Sequence, residues 1–376
     1  MTERGADRPR VVVVAQARPA LGGIATFAEL LADSPVVAKT AEVTLLNTTR
    51  QAVRTAGRLT GGNVANVVAD AVRVWRAART ADVVHLQSAP GRLLPLLRMW
   101  LLCVAARAGG ARVLCHVHSG RINGGNPKGF RPTRAYRLVL ARMGFVEAFL
   151  TVSRAGAEAL RPLVPRRTVV EWVDNAVDVG AQPRARPGQD PAVLLFVGTL
   201  SRRKGLEELA AAAAALGEST SAAWSLQVVG GAAEVGEEEA AQMRAAFTDR
   251  GLAEAMLGSR PAGEVRELMA GASALVLPSH WEGQPMVILE AMASGLPVVA
   301  SGVGAIPDVV RHEKDGLLVE TGDVASLTSA LRRIVEDSAL RERLGASARR
   351  RAEESYDVSV LARRLGAFYR GERAAR

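Results

Sequence analysis

Glu282 and Glu290 stand eight residues apart in the segment Pro278-Ser-His-Trp-Glu-Gly-Gln-Pro-Met-Val-Ile-Leu-Glu290. Ala274–Leu277 reads as a buried strand, Gly283 and Pro285 fit a turn, and the apolar run that follows predicts a helix from about Pro285 to Ser294. Proline is tolerated at the first helical position, where the missing amide has no intrahelical partner. Gly295 suits the C-cap, and Leu296-Pro-Val-Val-Ala-Ser301 begins the next strand. A helix N-terminus at the carboxyl end of a strand attracts anions, because unpaired amides converge there and the helix dipole favours negative charge. Glu290 lies about five residues into that helix, roughly 7 Å beyond the amides at ~1.5 Å per residue. That is the reach from a diphosphate to the ribose hydroxyls of a nucleotide. Glu282 stays in the turn, on the side of the phosphates where a sugar would lie. The bland alternatives are a solvated charge on an amphipathic helix for Glu290 and a turn carboxylate near the helix dipole for Glu282. Ile288, Leu289, Ala291 and Met292 argue against the first, since they make the helix largely buried and a buried carboxylate needs donors. The chemistry indicated is nucleotide-sugar binding.

The chain must supply strands and helices to hold this segment. Its 376 residues, 48% hydrophobic with few aromatics, suffice for two α/β domains. Short apolar strands alternate with helical stretches throughout, the pattern of doubly wound parallel sheets. Val11–Ala15, Val43–Asn47, Val83–Leu86, Val113–Val117 and Phe149–Val152 are expected strands of the first half. Val193–Val197, Ser225–Val229, Ala274–Leu277 and Pro297–Ala300 are those of the second. Gln182–Pro191, with three prolines and a glycine, reads as the linker, dividing the chain into 1–181 and 192–357. Val358–Arg370 is a basic amphipathic stretch expected to cross back onto the first domain, with 358–376 counted there. The polar first ten residues lead directly into a strand, unlike a secretory signal. Cys103 and Cys115 have apolar neighbours and no metal-ligand spacing, so free thiols in a reducing compartment are expected. Leu93–Ala106 is the most apolar window but is too short to span ~30 Å of hydrocarbon.

Charge is unevenly spread. Residues 1–187 carry 27 Lys/Arg against 12 Asp/Glu, and residues 188–376 carry 21 against 26. The first half should therefore meet an anionic partner, unless the arginines reflect compositional bias alone. Nucleic acid is not expected, because no binding motif is present and aromatic residues for base stacking are scarce.

With two Rossmann-like halves, Val303-Gly-Ala-Ile-Pro-Asp308, His312-Glu-Lys-Asp-Gly-Leu-Leu-Val319 and the segment from Pro278 to Ala300, the chain resembles the retaining GT-B glycosyltransferases of family 4, the glycosyl transferases group 1. The resemblance is densest from Val193 to Asp323. It implies two Rossmann-like doubly wound domains facing across a cleft, with the C-terminal helix returning to the N-terminal, acceptor-binding domain. It also implies that Glu282 contacts the donor sugar and Glu290 the nucleotide, with Gly283, Gln284, Pro285, Met286 and Val287 forming the intervening donor-binding loop and helix start. Phe196-Val-Gly-Thr-Leu-Ser-Arg-Arg-Lys-Gly205 resembles the family's phosphate loop, in which Lys204 matches the lysine that neutralises the leaving diphosphate. Thr199 stands where an arginine is usual, a lost charge that Arg202 or Arg203 could replace. Leu257-Gly-Ser-Arg260 matches the base-pocket segment, otherwise an ordinary strand-ending turn, and Gly22-Gly23 matches the loop facing phosphates and acceptor.

His116 and His118 fall on one face of a strand, but no third ligand lies near them in sequence, so a metal site is rejected. By resemblance His118 hydrogen-bonds the donor sugar, and His116 is a core residue. From Arg121 to Arg142 six basic residues, among them Lys128, Arg131 and Arg134, occur without an acid. They form either a solvated face or a contact for anionic lipid or a lipid-diphosphate acceptor on the acceptor side. The expected activity is retaining transfer of a sugar from a nucleoside-diphosphate sugar, UDP before GDP, to an acceptor hydroxyl. It would need no metal or other cofactor and would take place in the cytoplasm or peripherally at the inner membrane face. A sugar-containing or lipid-linked acceptor in cell-surface polysaccharide or glycolipid synthesis and a secondary-metabolite acceptor both fit. The rival readings are an epimerase or hydrolase on the same fold, and a non-catalytic nucleotide-sugar-binding protein.

Overall fold

The computed structural model describes residues 8–20, 22–49, 61–122, 130–232 and 236–372. The chain divides into two compact units. The first comprises residues up to Ala176 together with those from Val358 onward, and the second is Val177–Asp357.

In the first unit six strands form one parallel sheet: β1 Arg10–Ala15, β2 Glu42–Asn47, β3 Val83–Ser88, β4 Arg112–Val117, β5 Ala148–Thr151 and β6 Val169–Trp172. Their spatial order is β2-β1-β3-β4-β5-β6. Val11–Val14 are buried on both faces, which is why this strand reads as an unbroken apolar run rather than an alternation. The register sets Gln87 of β3 against His116 of β4, with His85 two residues earlier on β3. The polar side chains of the two central strands thus share a face.

The helix Val358–Arg370 belongs to this unit. Leu361, Leu365 and Phe368 are buried beneath it. Tyr369 Oη lies 2.9 Å from His85 Nδ1, and the Arg112 guanidinium donates to the carbonyls of Phe368 and Tyr369 while pairing with Glu147 at 2.6 Å. Cys103 and Cys115 are buried free thiols, Sγ to Sγ 3.2 Å.

The second unit repeats the plan with β7 Ala192–Val197, β8 Trp224–Val229, β9 Met256–Gly258, β10 Ala274–Leu277, β11 Val298–Ser301 and β12 Gly316–Val319. The order is β12-β11-β10-β7-β8-β9, all parallel. From β7 the chain winds outward through β8 and β9, then returns to place β10 on β7's other side. The reversal creates a switch point, where adjacent loops part and leave a crevice beyond the strand ends.

The segment expected as a linker is instead part of the second unit. Ala185 N–H donates to the Ser294 carbonyl, and Gln189 reaches the Gly271 carbonyl. The fully buried Arg341 donates to the carbonyls of Pro187, Gly188 and Gln189 and pairs with Asp190 at 2.6 Å. The unit boundary falls at Ala176/Val177. Prolines there mark an extended strap fixed by a buried guanidinium, because carbonyl acceptors remain even where proline removes a donor.

Candidate active site

The two loops beside the switch point of the second sheet meet. The loop after β7 contains Gly198, Thr199 and the short 3₁₀ turn Arg202–Lys204, and the loop after β10 contains Ser279 to Pro285. Backbone contacts lock them: His280 N–H donates to the Arg203 carbonyl at 2.8 Å. A Cβ on Gly205, at φ 70°, would fall 2.0 Å from the Pro278 carbonyl oxygen. Only glycine permits this approach.

At the junction three donors converge on one carboxylate oxygen. Lys204 Nζ lies 2.5 Å from Glu282 Oε1, Ser279 Oγ 2.9 Å and the Arg203 guanidinium 3.2 Å. Glu282 and Lys204 are both buried. Burial alone would raise the Glu282 carboxyl; Lys204, Arg203 and Ser279 together carry it below the usual glutamate range. Burial draws Lys204 below the usual lysine range, with Glu282 opposing and Arg203 adding to that pull. Arg203 also donates to the Trp281 carbonyl. Arg202 turns its guanidinium away to Gln242 and Glu207 at the surface, and its backbone N–H donates to Glu239. Of the two arginines that could replace the charge missing at Thr199, Arg203 is the one beside Glu282 and Lys204, and Thr199 is half-buried in the same loop.

The helix Met286–Ser294 starts immediately beyond, with Pro285 as its N-cap and no side-chain cap. Among the described residues the amides of Gly283, Met286 and Val287 have no acceptor. They are orphan donors at the positive end of the helix dipole. The buried Gln284 and Met286 and the half-buried Pro285 wall this turn. Glu290 is half-buried in the second turn, and its carboxylate has no hydrogen-bond partner among the described residues. Burial raises it to about 6, against a small opposing pull from Arg266. Arg260 is exposed just past β9, within 3.8 Å of Glu264. The chain has positive φ at Gly258, and the Gly258 carbonyl accepts from Gly230.

In the first unit Gly22 and Gly23 open the helix Gly23–Asp33 after β1, and both are exposed. His118 follows β4. Its Nε2 lies 2.7 Å from Gln87 Oε1, and its ring packs against His116 and Phe27 with centroids 4.5 and 5.3 Å apart. His116 is fully buried, its Nε2 3.2 Å from the Val173 carbonyl, and its ring stacks on His85. Burial first, then the neighbouring His116 and His85, hold His118 well below the usual histidine range, so the ring is neutral. With Gln87 Oε1 as acceptor, Nε2 carries the proton and Nδ1 is left to accept. Among the described residues no three His, Cys, Asp or Glu side chains are grouped to hold a metal ion.

Arg121, Arg131 and Arg134 are exposed in the first unit, whereas Lys128 lies outside the described residues. Sequence reasoning missed Ser279, Gln87 and His85. Ser279 carried a local signal, a hydroxyl three residues before a carboxylate in a turn. Gln87 and His85 sit at strand spacing on β3, but only the pairing with β4 shows that they line up with His116.

Residues 182–351 match the family model described as glycosyl transferases group 1. That span is nearly all of the second unit and holds Lys204, Glu282 and Glu290. Residues 182–351 belong to the group 1 glycosyltransferases. The chain is 30% identical over 274 residues to a glycogen synthase of Mycobacterium tuberculosis, covering 68% of this chain and 61% of that one. It is 35% identical over 226 residues to a D-inositol 3-phosphate glycosyltransferase of Nocardioides sp., covering 54% and 49%. The chain thus spans about half to three-fifths of the length of these curated relatives. Among solved structures, Anabaena HepE in complex with UDP-glucose matches 97% of this chain and 100% of its own at TM-score 0.75 and 19% identity. Sucrose-phosphate synthase from Thermosynechococcus elongatus covers 97% and 99% at TM-score 0.74 and 19% identity. These two matches, each over nearly the whole chain, show the GT-B fold.

Proposed function

We propose that the protein is a retaining glycosyltransferase that moves a sugar from a nucleoside-diphosphate sugar, UDP-linked before GDP-linked, to an acceptor hydroxyl. The observation that carries this reading is the cluster of Lys204, Arg203 and Ser279 on Glu282, beside the open amides of Gly283, Met286 and Val287, with the unpartnered Glu290 further along the same helix. The amides and the two cations would hold the diphosphate and stabilise charge that builds on it as the glycosidic bond breaks. Ribose hydroxyls would supply the donors that Glu290 lacks, and the segment Leu257–Arg260 would line the base. His118 would offer the donor sugar Nδ1 as an acceptor, and Gly23 would let backbone approach the substrates.

A double displacement requires a carboxylate with a free lone pair at the anomeric carbon. Glu282 has one oxygen capped by three donors and is held in its ionised form, which suits a residue that orients sugar hydroxyls. The family resemblance sets Glu282 against sugar hydroxyls, and on that ground we prefer same-face attack through an oxocarbenium-like transition state, with the leaving phosphate accepting the acceptor's proton. The charge stabilisation comes from side chains and amides, so we assign the reaction no metal requirement; activity lost to EDTA and restored by manganese would contradict this. On the acceptor side we place Arg121, Arg131 and Arg134, facing a lipid-linked or other anionic acceptor or the anionic headgroups around it.

Thermal melts across UDP, GDP, ADP and their sugar conjugates test the reading. A ligand at 100 times its dissociation constant adds about 2.7 kcal/mol, and one nucleotide family should produce that shift. Glu282→Gln should keep the shift for the nucleotide and lose transfer by at least a hundredfold. No shift with any nucleotide would overturn the assignment, and donor turnover that needs no acceptor would favour an epimerase or hydrolase.

A further inference from the structure

Seven of the eight large hydrophobic side chains that stand exposed among the described residues lie on three helices of the first unit. Val64, Val68 and Val72, spaced four apart, join Trp75 in one stripe along Gly61–Ala78. Leu94 and Leu97 extend the patch on Leu93–Ala108, and Leu138 does so on Arg134–Ala141. The first of these helices packs against the second and the second against the third, so the side chains belong to one layer over the sheet. Scattered exposed apolar residues need no explanation, but a contiguous group on neighbouring helices marks an interaction surface.

The charge of that layer selects the partner. Its three helices carry six arginines, Arg73, Arg76, Arg98, Arg107, Arg134 and Arg137, against one acid. The acid, Asp70, is buried and lies 3.4 Å from both Arg73 and Arg98. Arg76, Arg107, Arg134 and Arg137 have no ion-pair partner among the described residues. Arg79 lies over the Trp75 ring, 5.3 Å from its centroid. Beside the first helix a groove of about 450 Å³ is walled by Val12, Leu45 and Leu46, with Arg73 and Arg76 also lining it.

We propose that this helix layer docks on an anionic lipid bilayer. Valine, leucine and tryptophan side chains enter the boundary between headgroups and acyl chains, and the arginines hold the lipid phosphates. A second copy would set arginines against arginines. A nucleic acid would meet the cations but offer nothing to the valine and leucine stripes. No helix of the described residues is long and apolar enough to cross a membrane, so the contact lies in the plane of the interface. The surface extends the contact proposed for Arg121, Arg131 and Arg134 and is independent of the donor chemistry.

Co-sedimentation of the full chain with phosphatidylglycerol-containing vesicles, compared with phosphatidylcholine alone, tests the proposal. Binding is expected to the anionic vesicles at low salt, with release at high salt. Arg134→Glu with Arg137→Glu reverses two charges at an anionic surface and should weaken partitioning by at least about tenfold. Val68→Glu with Leu97→Glu should do likewise, and all four positions are exposed, so melting midpoints should stay at wild type. Should one pair fail to fold, the other still decides. Brominated acyl chains should quench tryptophan fluorescence, and Trp75→Phe should remove that quenching. The proposal falls if the wild-type chain stays in the supernatant with anionic vesicles at low salt, or if both variant pairs pellet like wild type. It also falls if the apolar pair instead disperses a concentration-dependent dimer.

Discussion

Glu290 joins a stability argument to a binding argument. Burial raises its carboxyl from 4.5 to about 6, so between these values the folded chain holds a proton that the unfolded chain has released. Stability from this group is therefore greatest below about pH 4.5 and is lost as pH rises through about 6. Ionised Glu290 costs roughly 2 kcal/mol at neutral pH. Glu290→Gln should accordingly melt higher than wild type at pH 7.5, by an amount worth about 2 kcal/mol, and match it at pH 4.5. The same variant should lose nucleotide-induced stabilisation. Equal melting at both pH values would show that the carboxylate is solvated. The residue itself was legible: eight residues from Glu282, in a helix too apolar to be a solvated face. Arg203, the partner of Glu282, was legible only as one of two adjacent arginines, since a 3₁₀ turn points neighbouring side chains in directions that sequence does not fix.

At the scale of elements, the site is held by loops whose backbones touch. Gly304, which follows β11 at φ 60°, is a further close approach: a Cβ there would lie 2.1 Å from the Glu282 carbonyl oxygen, and Ala305 N–H donates to the Gly283 carbonyl at 2.9 Å. Gly304→Ala must both adopt a strained backbone and push Glu282 away from Lys204. About 2–4 kcal/mol of stability should go, and sugar transfer with it, measurable by denaturant melts alongside turnover. Wild-type turnover would show that the loop yields elsewhere. The strap 182–191 makes the complementary case. Arg341→Met leaves several carbonyls buried without their donor, so a loss of about 3–5 kcal/mol is expected in urea unfolding; a loss below 1 kcal/mol would show that water replaces the guanidinium. Strand and helix positions followed from runs of apolar residues, whereas β6, β9 and β12 did not. These are three or four residues long at or near sheet edges, where pairing rather than composition makes a strand. Proline spacing suggested a linker because sequence cannot show that an arginine 150 residues away occupies the strap's carbonyls.

Across the whole molecule the chain leaves the first unit at Ala176, completes the second, and returns at Val358. The return helix was readable from its amphipathic face, Leu361, Leu365 and Phe368. Its deepest polar contact was not, because it joins residues 284 positions apart, the Tyr369 hydroxyl and His85 Nδ1. Both groups are buried, and His85 stacks on His116, which in turn packs on His118. The first unit's central strands thus depend on the returning helix, and the histidine neighbouring the proposed sugar contact is braced through His85 by Tyr369. Tyr369→Phe keeps the ring and removes the hydroxyl, leaving a buried nitrogen unpaired at a cost of about 1–3 kcal/mol. Hydrogen exchange should locate the loss: amides of β3, β4 and the helix Val358–Arg370 should exchange faster, while those of Met286–Ser294 keep wild-type protection. Loss spread equally over β7–β12 would mean that Tyr369 supports the whole chain and not the unit it closes. Protection unchanged in β3 and β4 would mean that His85 finds another partner when the hydroxyl is gone.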